Sequence, residues 1–361
     1  MKPLAIQPSP AVQRKPYSTL PLEPHIDLFL DANEGPTPPL DLLRVLEDVS
    51  RLRRYPSTDD LRALLASRLS VSTERLTVTA GGDDAIDRAC RSVLAPGREI
   101  ILTPPTFEMF PRYAALTGAT AVNIPWASDP FPTQAVLAAI TERTAAIALV
   151  TPNNPTGLTI PASDVRAIAL AAPHALIILD LAYIEFADPQ AQKDLEALAL
   201  ELPNILAIRT LSKAWGLAGL RIGYAVGDPR VINWIRAAGG PYAVSAPSAA
   251  IACRALETCE HLMRDYVANV RTERDQLFAL LTDLGLDPWP SQANFVTTGA
   301  RYDVHASPYA SLRRQGIATR EWNNRTDLPS YACRITCPGN PAKFARLCRA
   351  LRQYATEERA R

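Results

Sequence analysis

The stretch RTLSKAWGLAGLRIGY, residues 209–224, decides how this chain is read. It follows a short aliphatic run and sets two hydroxyls, Thr210 and Ser212, beside Lys213, with Arg221 further along. Taken alone, a lysine at the end of a strand is most often solvated surface. The neighbours change that reading. Gly216, Gly219 and Gly223 permit a close turn, so Thr210, Ser212 and Arg221 can gather on one dianionic group through charge-assisted hydrogen bonds. A lysine beside a phosphate site is what capture of an aldehyde requires.

Outward from this stretch, β-branched or aliphatic runs at 76–79, 99–103, 120–124, 145–150, 176–180, 205–209 and 221–226 alternate with Ala- and Leu-rich stretches of helical spacing. The alternation predicts an α/β fold with a mostly parallel, seven-stranded sheet between helices. Residues 1–36 are rich in Pro and lack a helical period, so they read as an extended arm of the kind that reaches a partner subunit. Residues 37–246 are expected to form a large domain and 247–361 a smaller α+β domain associated with the arm. Within the latter, 247–284 is almost free of breakers until Gly285 and predicts one or two long helices joining the domains. A closing helix is marked by Asn340 as cap, Pro341 in the first turn, and the stripe Phe344, Leu347, Leu351 and Tyr354.

Bulk properties narrow the function. A chain of 361 residues is long for a single core, which favours two domains. Lys plus Arg (38) nearly balance Asp plus Glu (37), so no strong field draws the protein to nucleic acid or an anionic membrane, and small molecules are the expected partners. The six cysteines form neither a disulfide framework nor a paired zinc spacing; reduced thiols and no metal are expected. No apolar run approaches the roughly 20 residues of a membrane span, and prolines break the first thirty residues where a secretory signal would lie. The expected location is cytoplasmic.

Three further segments carry chemistry. AGGDDAIDRAC, residues 80–90, leaves a strand through two glycines and enters a helix, whose free amides at Gly82 and Asp83 can bind phosphate. Asp83 and Asp84 are negative where that phosphate would sit, so both carboxylates are expected to turn toward the helix flank. TPNNPTG, 151–157, is a turn directly after a strand. LIILDLAYIEF, 176–186, brings Asp180 to the carboxyl end of an apolar strand and Tyr183 three residues later. A buried carboxylate needs a purpose.

Together these segments resemble the fold-type I aminotransferases, which use pyridoxal 5'-phosphate. The resemblance implies that Lys213 holds the cofactor as a Schiff base and shuttles a proton, and that Asn154, the second Asn of the Asn-Asn-Pro-Thr-Gly match, reaches the ring oxygen. It also implies that Asp180 keeps the pyridine nitrogen protonated, so that the ring can accept electrons from a substrate carbanion, and that Tyr183 donates a hydrogen bond to the ring oxygen. The family usually has Glu after the strand-ending Asp; Leu181 stands there, a change expected to alter only packing or the hydrogen bonds behind the residues that touch the cofactor. Further strings fall in the order of one subgroup, the histidinol-phosphate aminotransferases, and cover the chain nearly end to end. DANEGP (31–36) is similar to the subgroup's Asn-Glu-Asn-Pro entrance segment and places Asn33 on the substrate side. RYP (54–56) implies that Tyr55 reaches the cofactor phosphate of the neighbouring subunit, hence a homodimer. PPTFEMF (104–110) offers Phe107 as the ring stacked on the pyridine, and PYAVSAP (241–247) offers Tyr242 to the substrate pocket. ACRITCP (332–338) resembles the segment whose arginine, here Arg334, forks onto the substrate α-carboxylate. GIATR (316–320) aligns Arg320 with the arginine that holds the substrate phosphate, assisted by Tyr17 of the arm. The implied reaction is amino transfer between L-histidinol phosphate and 2-oxoglutarate, a step of histidine biosynthesis. Aromatic-amino-acid aminotransferases can keep an arginine at the position of Arg320, and a decarboxylase of phosphorylated threonine uses the same framework, so the amino donor and the bond broken stay open.

Overall fold

Strands and helices alternate through the first two thirds of the chain as the sequence predicts. The computed structural model describes residues 8–13, 23–299, 307–322, 326–328 and 332–359. In chain order the strands are β1 (Leu28–Phe29), β2 (Leu76–Thr79), β3 (Glu99–Leu102), β4 (Thr120–Asn123), β5 (Thr144–Val150), β6 (Leu176–Asp180), β7 (Ile205–Thr210), β8 (Gly223–Gly227), β9 (Asp287–Pro288), β10 (Phe295–Gly299), β11 (Ile317–Ala318), β12 (Arg320–Trp322) and β13 (Ala332–Thr336). Strands β2 to β8 form one sheet in the order β2-β8-β7-β6-β5-β3-β4. Only β8 is antiparallel to its neighbours, and the other pairings are parallel. The last strand starts later than the run at 221–226 suggests, because Arg221 takes a left-handed φ of 53° and turns the chain before Gly223.

A parallel sheet covered on both faces must read as a continuous apolar run, and β5 and β6 are buried at every position. Alternate residues feed two cores. Ile147, Leu149, Ile177 and Leu179 enter one, while Ala146, Ala148, Leu176 and Ile178 enter the other with Ala85, Ile86 and Ala89 of helix Gly81–Val93. Each buried large aliphatic side chain contributes roughly 1.5–3 kcal/mol. Asp180, which closes β6, reverses that sign and is the position where the strand departs from packing logic.

A second, antiparallel sheet has the order β12-β13-β10-β9. It packs on helices Glu260–Asp283 and Pro341–Arg359 through Val270, Leu277, Phe295, Ile335, Leu347 and Leu351. The helical span expected at 247–284 is two helices, Ala246–Thr258 and Glu260–Asp283, which meet at Cys259. Asn340 caps the closing helix, its Oδ1 accepting from Lys343 N at 3.0 Å, and the stripe Phe344, Leu347, Leu351 and Tyr354 is buried. From the arm, β1 pairs in parallel with β11. The chain then runs past the Lys213 loop so closely that a Cβ on Gly35 would meet the Lys213 carbonyl, and one on Gly216 the Pro36 carbonyl. Tyr183 and Ala214 join the core of the second sheet. The two sheets therefore meet at Lys213.

Candidate active site

Strands β5, β6 and β7 are parallel neighbours, so their carboxyl ends open on the same edge of the sheet, where α/β folds bind ligands. A cavity of about 280 Å³ lies there. It is lined by Gly82, Asp83, Phe107, Asn154, Asp180, Tyr183, Thr210, Ser212, Lys213, Arg221, Arg320, Arg334 and Asn33. Thus segments separated by more than two hundred residues share one wall. The chain has five lysines, and among the described residues Lys213 alone lines this cavity.

Asp180 is 4 % exposed, and its Oδ1 accepts from Ala182 N at 3.0 Å. Burial pushes its carboxyl up to about 7; the Asp83 charge adds to the rise, whereas the Ala182 N–H and the Lys213 ammonium oppose it. A carboxyl so placed gains most from a cationic hydrogen-bond donor. Lys213 Nζ donates to the Ala32 carbonyl at 3.0 Å and lies 5.7 Å from the Tyr183 ring centroid. The Tyr183 hydroxyl accepts from Asn33 Nδ2 at 3.0 Å, which fixes the phenol and leaves its own hydrogen free to donate. Asn33, left-handed at φ 55° and 1 % exposed, is itself held by Thr336 Oγ1, which donates to its Oδ1 at 2.9 Å. Its side chain serves Tyr183 first.

At the other end, Arg221 reaches Ser212 Oγ from Nη1 at 3.4 Å and Asp83 Oδ2 from Nη2 at 3.0 Å. Thr210 Oγ1 accepts from Ser212 N at 3.2 Å, and its one hydrogen has two acceptors in reach, Ser212 Oγ at 2.9 Å and the Ile222 carbonyl at 3.2 Å, so the loop itself engages this hydroxyl. Only one of the two acids turns away as expected. Asp84 accepts from Ala80 N and Arg88 Nε, both at 2.8 Å, along the flank of helix Gly81–Val93. Asp83 instead faces the cavity because Arg221 neutralises it there. Gly81 has φ 84°, and a Cβ on it would strike the Arg221 guanidinium, whereas one on Gly82 would meet ordinary contacts at 3.8 and 3.9 Å. Gly81, which sequence reading passed over, is the more demanding glycine.

The loop after β5 is built around Asn153, which is fully buried. Its Oδ1 accepts from Thr106 Oγ1 at 3.0 Å and its Nδ2 donates to the Pro105 carbonyl and Thr156 Oγ1 at 2.8 and 2.9 Å. This frees Asn154 to face the cavity. Its Oδ1 accepts from Arg334 Nη1 at 2.6 Å, while Arg334 Nη2 donates to the Asp31 carbonyl at 2.6 Å. The Arg334 guanidinium also lies 5.2 Å from the Phe295 ring centroid and 5.3 Å from that of Trp322. Arg320 lies directly across the strand pair from Arg334. Trp322 had no motif to announce it.

One expected residue lies elsewhere, and one falls outside the described residues. Tyr242 does not line this cavity; with φ 61° it turns outward and stacks on Tyr55, centroids 4.5 Å apart and planes 15° apart. Tyr55 is 81 % exposed on the same surface. Tyr17 lies outside the described residues.

Comparison with known proteins agrees with this geometry. The profile of class I and II aminotransferases matches residues 30–351. A histidinol-phosphate aminotransferase 2 of Pseudomonas fluorescens is 34 % identical over 357 residues, 96 % of this chain and 94 % of that protein. An aromatic amino acid aminotransferase of Mycobacteroides abscessus is 36 % identical over 272 residues, 74 % and 78 % of the two chains. Among solved structures, the histidinol-phosphate aminotransferase of Sinorhizobium meliloti, in complex with pyridoxal-5'-phosphate, superposes with a TM-score of 0.84 over 97 % of each chain at 26 % identity. A match that runs from the strand-ending acid through the lysine loop to the paired arginines places this chain in the class I and II aminotransferases.

Proposed function

We propose that the chain is a pyridoxal-phosphate-dependent aminotransferase that moves the amino group of L-histidinol phosphate to 2-oxoglutarate. One observation carries it: a single cavity joins a buried acid and the lysine to two arginines on neighbouring strands, β12 and β13. The residues present fit the cofactor. Asp180 is a buried acid that a cation would restore to its ionised form, and Arg221 with Ser212 beside the first turn of helix Gly81–Val93 suits a phosphate. When bound, pyridoxal phosphate supplies an aldehyde that captures amines and a ring that accepts the electrons released at Cα.

The chain's own groups do the rest. Lys213 Nζ would anchor the aldehyde and, as a free amine, would take the Cα proton of the donor. Asp180 would hold a proton at the ring nitrogen, Tyr183, fixed by Asn33, would donate to the ring oxygen alongside Asn154, and Phe107 would lie against the ring. Arg334 reads the carboxylate of glutamate or 2-oxoglutarate, and Arg320 reads the phosphate or the distal carboxylate.

The S. meliloti and P. fluorescens relatives support the phosphorylated donor. The M. abscessus relative supports a second reading, an aromatic amino donor. Product analysis with histidinol phosphate, phenylalanine and phosphothreonine separates them. The proposal expects a keto product fastest from histidinol phosphate; phenylpyruvate formed faster would favour the second reading, and CO2 release from phosphothreonine would make the chain a decarboxylase. We also infer a cytoplasmic homodimer in which Tyr55 serves the partner's site, and a division into the arm 1–36, a large domain 37–246 and a small domain 247–361. In support, Tyr55 and Tyr242 are exposed together at one surface, and among the described residues no helix is long and apolar enough to cross a membrane.

A further inference from the structure

Arg320 and Arg334 are opposed residues in an antiparallel pair, Arg320↔Arg334, with Trp322↔Ala332 the next same-face pair along. Directly opposed side chains on one face have Cβ atoms roughly 5 Å apart, and like charges there destabilise the pairing. The chain nevertheless puts two cations at that spot, and among the described residues the Arg320 guanidinium has no hydrogen bond or ion pair. One indole stands beside both. Trp322 shares the face of Arg320 by the two-residue period of the strand. Ala332 opposite it is small, which lets the indole lean diagonally toward Arg334. Its ring centroid lies 6.0 Å from the Arg320 guanidinium carbon and 5.3 Å from that of Arg334. Phe295 borders Arg334 at 5.2 Å, so the Arg334 guanidinium is fixed by two rings and two hydrogen bonds. Among the described residues, the Arg320 guanidinium has the indole alone to orient it.

We propose that Trp322 is a specificity-determining residue that sets the spacing and orientation of the two guanidiniums, so that the pocket favours substrates carrying two anionic groups over those carrying one. This rests on the reading of Arg320 and Arg334 as the arginines that bind substrate. The π face attracts both cations and offsets part of their mutual repulsion. A dianionic substrate uses both guanidiniums at once, whereas a monocarboxylic one needs Arg334 alone, which keeps its other restraints if the indole is lost.

The test compares single-turnover half-reactions of the holoenzyme with L-glutamate, which has two carboxylates, and L-alanine, which has one. In Trp322→Leu the second-order rate constant for glutamate should fall roughly tenfold, the scale of a lost cation–π contact with its reorientation, and that for alanine less than twofold. Trp322→Phe, which keeps a ring, should recover most of the glutamate rate. A merely structural role would slow both donors alike, and that result, or no change with glutamate, would overturn the proposal. Arg320→Ala and Arg334→Ala are run beside these. Should both leave glutamate unaffected while Trp322→Leu folds and binds cofactor normally, the reading of the pocket itself fails, and the proposal with it.

Discussion

Asn154 Oδ1 and Arg334 Nη1 are 2.6 Å apart, although the residues are 180 positions distant in sequence. One belongs to the loop after β5 and the other to β13, so a single charge-assisted hydrogen bond ties the sheet that would hold the cofactor to the sheet that would read the substrate. The position of Arg334, proposed to bind the substrate carboxylate, is therefore set partly from the other sheet.

Asn154→Ala should raise the KM for 2-oxoglutarate even though Asn154 is assigned no contact with it. The coupling with Arg334, measured by a double-mutant cycle with Arg334→Lys, should be about 1.5–3 kcal/mol, the range for hydrogen bonds to charged groups. Strict additivity of the two variants would remove the link.

Gly81→Ala and Gly82→Ala should behave differently. At Gly81 the added methyl meets the Arg221 guanidinium in a left-handed backbone, and at Gly82 it meets contacts no closer than 3.8 Å. Titration of the apoenzyme with pyridoxal phosphate should show affinity at least roughly tenfold weaker for Gly81→Ala and little change for Gly82→Ala. Equal effects would mean that the phosphate end is not built on Arg221.

Glu273 provides a pH test away from the site. It is 5 % exposed, accepts from Gly339 N at 2.6 Å, and burial pushes its carboxyl up to about 7. The folded chain therefore holds a proton that the unfolded chain releases above about pH 4.5, and stability from this group falls as pH rises from there through about 7. Relative to Glu273→Gln, the wild type should lose roughly 2 kcal/mol or more of unfolding free energy between pH 5 and 8. Denaturant midpoints that move in parallel for the two proteins would contradict this.

Mixed dimers examine the role of Tyr55. Tyr55→Phe and Lys213→Ala chains should each have low activity, while their hybrid regains one intact site if Tyr55 acts on the partner's cavity. About half of wild-type turnover per hybrid is expected on that basis, and no recovery would place Tyr55 in its own site or in none.

What could be read from sequence was what composition or a strand end makes physically costly. Asp180 closes an otherwise apolar run, and Lys213 and Arg221 flank a glycine-rich turn, so each declares itself locally. The orientation of side chains did not. Nothing in PYAVSAP foretells that φ 61° at Tyr242 sends its ring outward to Tyr55. Nor does the Gly81-Gly82 pair reveal which glycine faces Arg221, or DD that Asp83 pairs inward while Asp84 turns to Arg88. Trp322 was hidden for another reason: its meaning depends on the register of β12 against β13, a pairing between segments that sequence alone does not align.

The central claim is that Lys213 carries the cofactor, and borohydride reduction of the holoenzyme followed by peptide mass spectrometry tests it most directly. The chain has four other lysines to serve as internal controls. A stoichiometric pyridoxyl adduct is expected on the peptide containing Lys213 and should be absent from the Lys213→Ala protein; a stoichiometric adduct on Lys193, Lys343 or an N-terminal lysine instead would contradict the assignment.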